Sequence, residues 1–217
     1  MRSARWIKYF ALALTAMLVS MTSAQAQFTE GTQFQRLKTP QAVESGAKIE
    51  VIEFFSYACA HCRDLEEFLG PWIKKVPADV SFKRVPVMFY PQWVNLAKVY
   101  LTLEGLQRED LSAKVFAAVH TAGVKLQEEK VFFEWAANNG LDAKKTQDMW
   151  GSFAIHTKVN RAKALAISYE LDGVPTLFVD GKFKLQSATE GQGPLAHKNA
   201  PAALDFLIAK ARAERKK

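Results

Sequence analysis

The chain has 217 residues, two cysteines and a formal net charge of +7. Its first stretch holds three of the 29 basic residues and none of the 22 acids, so the rest carries a surplus of only four positive charges, interleaved with acids, which argues against nucleic acid or another acidic polymer as partner. About 190 residues remain beyond that stretch, enough to bury a core without disulfides, which leaves both cysteines free for other work.

Residues Met1 to Ala26 carry Arg2, Arg5 and Lys8, then the apolar run ALALTAMLVSM, then Ser23-Ala24-Gln25-Ala26 with small residues at the last and third-last positions. This is the pattern of a secretory signal peptide, and the apolar run is too short for the roughly 20 residues that cross a bilayer. Cleavage after Ala26 and a mature chain from Gln27 are expected.

From Lys48 to Ser56 the run KIEVIEFFS is dense in branched and aromatic residues, as in a strand buried on both faces. Tyr57-Ala58-Cys59-Ala60-His61-Cys62 follows, and then Leu65, Phe68 and Leu69 at helical spacing, so Cys59 sits where a strand hands over to a helix. Val80 to Met88 reads as a second strand, with Pro86 taking its end out of the sheet. Between Gln92 and Glu170 the periodicity becomes helical, with turns expected near Glu109, Gly123, Gly140 and Gly151. Strands return at Thr176-Leu177-Phe178-Val179 and Phe183 to Leu185, joined by Asp180-Gly181 as a hairpin. A glycine-rich loop, Ser187 to His197, leads to a last helix over Pro201 to Arg215. The basic cluster Arg212 to Lys217 reads as a solvated last turn complementing the helix dipole.

This order predicts the α/β class, a thioredoxin fold with an inserted all-helical domain. The expected boundaries are 1–26 for the signal peptide, 27–91 and 171–217 for the two parts of the thioredoxin-like domain, and 92–170 for the helical insertion.

Two cysteines three positions apart close too short a loop to stabilise the chain much as a staple, whereas Cys-x-x-Cys at a helix start is a redox arrangement. Cys59 faces unpaired N–H groups and the positive end of the helix dipole, and His61 adds a donor or a charge, all of which favour the thiolate. Cys62 stands one turn on, on the same face, as the resolving thiol. Zinc wants four ligands at close quarters, and His120, His156 and His197 show no ligand spacing, so each reads as a surface or packing histidine and no metal or organic cofactor is expected.

Glu53-Phe54-Phe55-Ser56-Tyr57, Cys59-Ala60-His61-Cys62 and Gly173-Val174-Pro175-Thr176 together resemble the DsbA family of periplasmic thiol-disulfide interchange proteins, from about Gln27 to the end of the chain. The resemblance implies a periplasmic monomer that gives its Cys59–Cys62 disulfide to newly exported proteins and is reoxidised by a DsbB-type inner-membrane protein passing electrons to quinone. It implies Cys59 as nucleophile, Cys62 as buried resolving thiol and Pro175 as a cis-proline facing them, with the backbone of Val174 and Pro175 binding extended substrate. Glu53, on the buried face with Ile49, Val51 and Phe55, falls where the family has an acid that moves protons for the buried cysteine. Lys83 on the neighbouring strand is its expected partner.

Ala60 stands where the best-known members carry proline, so the oxidising strength is left open. A disulfide isomerase or reductase uses the same sulfurs; against it stand the lack of a preceding dimerisation module and Val174 in place of the threonine common in dimeric isomerases. A periplasmic peptide-binding chaperone with incidental cysteines is the alternative from another class.

Overall fold

The computed structural model describes residues 28–185 and 195–216. The expected leader and most of the glycine-rich loop after Leu185 lie outside the described residues. Among the described residues, five strands form one mixed sheet: β1 (Phe34–Arg36), β2 (Ile49–Phe55), β3 (Val80–Pro86), β4 (Thr176–Val179) and β5 (Phe183–Leu185), in the spatial order β1-β5-β4-β2-β3. β2 runs parallel to β3 and antiparallel to β4, and β4, β5 and β1 continue antiparallel. The helices are α1 (Ala60–Ile73), α2 (Val94–Gly105), α3 (Ser112–His120), α4 (Glu129–Asn138), α5 (Ala143–Trp150), α6 (Phe153–Ser168) and α7 (Ala200–Arg215).

All seven residues of β2 are buried because the strand is central and covered on both faces. Ile49 and Val51 face Leu65, Leu69 and Trp72 of α1 and Leu204, Leu207 and Ile208 of α7. Ile52 and Phe54 face Ala162 of α6 and Tyr169. Phe54 packs edge-on to Phe178 at 5.6 Å, a contact geometry that adds to the area it buries. Phe68, which the helical spacing grouped with Leu65 and Leu69, lies 38% exposed.

Helices α2 to α6 fall between β3 and β4 in sequence and enclose a core of their own, built from Leu103, Val115, Phe116, Phe132 and Trp150. Phe55, Tyr57 and Cys62 belong to that same core, so the end of β2 and the start of α1 are pressed against the helical block. The expected breaks fall where backbone chemistry puts them. A 3-10 turn starts at Glu109, Gly123 and Gly140 take positive φ, and Gly151 caps α5. Asp142 and Ser152 cap α5 and α6 by accepting from Lys145 N at 2.8 Å and Ile155 N at 3.3 Å.

The hairpin between β4 and β5 turns on Asp180 (φ 56°) and Gly181 (φ 61°), the pair of left-handed residues that suits strand twist. Position 181 admits only glycine, because a Cβ there would sit 2.1 Å from the Gln41 carbonyl oxygen. The C-terminal arginines are not simply solvated: Arg212 makes a two-pronged pair with Asp79, and Arg215 binds buried Asp180 and the Ala47 carbonyl, fastening α7 to the end of the sheet where β2 and β3 begin and β4 finishes.

Candidate active site

Cys59 is the residue before α1, with φ −92° and ψ 119°, which sets its sulfur beside the N–H groups of His61 and Cys62 in the first turn. The Cys59 thiol is held below the usual thiol value of 9.0, at about 6. The hydrogen bond from the Cys62 thiol contributes most, burial opposes it, and the N–H groups of Cys62 and His61 and the charge of His61 add to the lowering. Cys62 shows the reverse. Fully buried, it is pushed well above 9.0 by desolvation first and then by its neighbour Cys59. One turn of helix therefore separates a sulfur that ionises near neutrality from one that does not.

Across from Cys59, the Val174–Pro175 peptide bond is cis, and the Val174 carbonyl oxygen lies 3.4 Å from the Cys59 sulfur. A thiol donates to that oxygen; a thiolate cannot, so the contact belongs to the protonated state. The structure holds both cysteines as free thiols.

Beneath the pair lies a buried ion cluster. Glu53, 1% exposed, accepts from Arg84 Nε at 2.6 Å, and Arg84 also binds Glu66 through Nη2 and donates to Ser112 Oγ at 3.2 Å. The expected Lys83 partner is incorrect, and strand register explains why. Parallel pairing sets Glu53 beside Arg84 and Ile52 beside Lys83, so Lys83 points to the other face of the sheet. There it pairs with buried Glu50 at 2.9 Å and with Glu44 at 3.1 Å.

Two carboxylates share one guanidinium in the Glu53–Arg84–Glu66 cluster, so full ionisation leaves a net negative charge in a dry place. Glu66 shows the consequence: burial raises it to about 6, with Glu53 adding to the rise and Arg84 opposing it. Burial alone would lower the Arg84 pKa, but the charges of Glu53 and Glu66 outweigh it. An open groove of about 870 Å3 between α1 and α3 is lined by both Glu66 and Arg84, giving the cluster a path to water on the side away from Cys59. Glu66 went unmarked in the sequence, although a signal was present: it follows Cys62 by four residues, the spacing that stacks side chains on one helix face.

Histidines also fall differently than their sequence spacing suggests. His197 comes to the mouth of the site, its ring 6.3 Å from that of His61 and its pKa lowered by burial and then by the charge of His61. His120 reaches the Tyr57 carbonyl at 2.8 Å, while His156 is exposed on α6. Among the described residues no group of three or more His, Cys, Asp or Glu is arranged to hold a metal ion, and no helix is long and apolar enough to cross a membrane.

The family model of a DSBA-like thioredoxin domain matches residues 50–193. The chain belongs to the DsbA-like thioredoxin family. It is a thiol-disulfide oxidoreductase carrying the Cys59-Ala60-His61-Cys62 motif. A thiol:disulfide interchange protein DsbA of Pseudomonas aeruginosa is 38% identical over 212 residues, covering 95% of this chain and 99% of that protein. One from Bordetella parapertussis is 36% identical over 202 residues, covering 93% of each. The crystal structure of Pseudomonas aeruginosa DsbA superposes with a TM-score of 0.79 at 37% identity, over 88% of this chain and 97% of that one. Similarity to these DsbA-like thioredoxins thus runs through both the sheet and the helices between β3 and β4, as the α/β fold with a helical insertion requires.

Proposed function

We propose that this oxidoreductase works in the periplasm as a dithiol oxidase, donating a Cys59–Cys62 disulfide to newly exported proteins. The observation that carries the reading is the split between the two sulfurs, Cys59 lowered to about 6 and Cys62 raised well above 9.0. A stabilised Cys59 thiolate favours the reduced protein, and whatever favours the reduced form makes the disulfide the stronger oxidant.

In the first step a substrate thiolate attacks Cys59 Sγ, the Cys59–Cys62 bond breaks, and its electron pair leaves on Cys62. Buried Cys62 cannot stay charged and takes a proton. In the second step another substrate thiolate attacks the substrate sulfur of the mixed disulfide, and Cys59 leaves as the thiolate. The substrate dithiol has lost two electrons and two protons; the protein holds both electrons and one proton, as the Cys62 thiol and the Cys59 thiolate, and the second proton passes to solvent.

Pro175 and the Val174 carbonyl border the reacting sulfur and offer backbone to an extended substrate by strand addition. His61 supports the Cys59 thiolate from within the motif. Glu53 belongs to the acid cluster that supplies and removes the Cys62 proton, and in that cluster Glu66, at about 6, is the member with a proton to give near neutrality. A DsbB-type inner-membrane protein passing electrons to quinone serves as reoxidant, the leader 1–26 directs export, and the protein acts as a monomer without metal or organic cofactor.

The test gives the oxidised wild type a reduced two-cysteine secretory protein, and gives Cys62→Ser, activated at Cys59 as a mixed disulfide with a small thiol, the single-cysteine form of the same substrate. The wild type is expected to release free oxidised substrate, Cys62→Ser to accumulate a Cys59-linked adduct that has no second thiol to resolve it, and Cys59→Ser to do neither. Oxidation persisting without Cys59 sinks the assignment.

A further inference from the structure

The chemistry described so far makes no use of His120, the last residue of α3. Its Nε2 lies 2.8 Å from the backbone oxygen of Tyr57. A carbonyl oxygen only accepts, so the imidazole carries its proton on Nε2 whether the ring is neutral or charged. Phe116, four residues earlier on α3, stacks beside the ring at 6.2 Å and fixes its orientation.

The other end of the same helix holds the same tyrosine. Tyr57 donates its hydroxyl to Ser112 Oγ at 3.1 Å, and Phe116 closes on the tyrosine ring edge-on at 4.8 Å. Ser112 Oγ also accepts from Arg84, so the grip extends into the acid cluster. Three residues of α3, Ser112, Phe116 and His120, therefore fasten Tyr57 by phenol, ring and main chain.

Tyr57 stands in the turn that carries β2 into α1. The Cys59 N–H bonds the Ser56 carbonyl at 3.0 Å and the Ala58 N–H bonds Ser56 Oγ at 3.1 Å. The first bond ties together the two peptides that flank Tyr57–Ala58, and the second holds the N–H edge of the Tyr57–Ala58 peptide. Its carbonyl edge is held by His120, and the tilt of that plane decides how the Cys59 sulfur meets the first N–H groups of α1 on one side and the Val174 oxygen on the other.

We infer that His120 is a positioning residue of the reaction: by donating Nε2–H to the Tyr57 carbonyl it locks the active-site turn, so that α3 of the helical block holds the reactive sulfur in register. The inference rests on the reading of Cys59 as the reacting sulfur. It does not require that the protein be an oxidase rather than a reductase.

The test compares wild type, His120→Ala and His120→Gln by Cys59 thiolate absorbance against pH, by the equilibrium of the dithiol with glutathione, and by thermal unfolding. Loss of one hydrogen bond predicts that His120→Ala shifts the glutathione equilibrium toward the protein disulfide by about two- to tenfold and raises the Cys59 titration. Gln at this position places an amide N–H where Nε2 stood, so His120→Gln is expected to restore both readings. A merely structural histidine would lower the melting temperature of both variants without this split in redox behaviour. His120→Ala matching wild type in titration and equilibrium overturns the inference, whatever its melting temperature. Should His120→Ala fail to fold, nitrogen-15 spectra of the wild-type histidines decide: a neutral His120 ring protonated on Nδ1 contradicts the bond, and one protonated on Nε2 supports it. A wild type no more oxidising than glutathione would instead fail the oxidase reading, with the difference between wild type and His120→Ala still reporting on the turn.

Discussion

Glu50 and Glu53 lie three residues apart on one strand, are 2% and 1% exposed, and each holds a cation from β3, yet they sit in unlike surroundings. Glu50 points to the face covered by α6, where Lys83 answers it and Glu44 brings Arg161 as a further cation. Glu53 points to the face under α1, where Glu66 competes with it for a single arginine beside a buried thiol. Burial of an acid is common to both; what differs is the balance of charge and the group that the acid adjoins. A pair of acids matched by two cations is a structural fastener, while a pair of acids short of one cation holds a proton in reserve.

The largest effect should come from removing the one cation that the two acids share. Arg84→Met leaves two buried carboxylates without a partner and is expected to cost about 3–5 kcal/mol in denaturant unfolding at neutral pH. A loss below about 1 kcal/mol would mean that the cluster is already largely protonated and would remove the contrast with Glu50.

A second effect is carried by the sulfurs above the cluster. Cys59 is lowered from 9.0 to about 6 in the folded dithiol, so its stabilising contribution is complete above pH 9 and is lost as pH falls through 6. The reduced wild type should therefore gain stability over Cys59→Ala as pH rises from 6 to 9, with the margin closing below 6. A margin that stays constant over this range would contradict the lowered thiol.

Smaller still is the kinetic effect on proton supply. Glu66 at about 6 is protonated below that pH and able to give its proton to departing Cys62, so the rate of substrate oxidation, corrected for substrate thiolate, should fall as pH rises through 6. Stopped-flow measurements on Glu66→Gln and Glu53→Gln should show that inflection lost or displaced. An unchanged profile in both variants would take proton handling away from the cluster. The smallest change is expected on the other face: Glu50→Gln should leave the glutathione equilibrium and the pH profile as in wild type while altering unfolding midpoints. A redox shift as large as that of Glu53→Gln would erase the comparison.

Local pattern carried much of this architecture. The buried run Ile49 to Phe55, the helix after Cys59 and the Asp180-Gly181 hairpin each announce themselves within ten residues, since side-chain period and turn chemistry are local properties. β1 does not: with three residues and one buried side chain, Phe34, it exists because β5 offers it an edge. The site divides in the same way. Cys59, His61 and Cys62 are contiguous, and the Val174–Pro175 turn was reached through family likeness. Arg84 rather than Lys83 depends on the register of two parallel strands about 30 residues apart, which sequence alternation leaves undecided by one position. His120 and His197 meet the site across more than sixty and more than a hundred intervening residues, and nothing local marks either of them.

The most direct test of the account is the ultraviolet titration of the Cys59 thiolate in the reduced protein, read together with its equilibrium against glutathione. The account predicts an ionisation near 6, absent in Cys59→Ser and raised in His61→Ala, and a disulfide more oxidising than glutathione. An ionisation near that of an ordinary thiol, with a disulfide more reducing than glutathione, would contradict it and turn the same two sulfurs toward reduction or isomerisation.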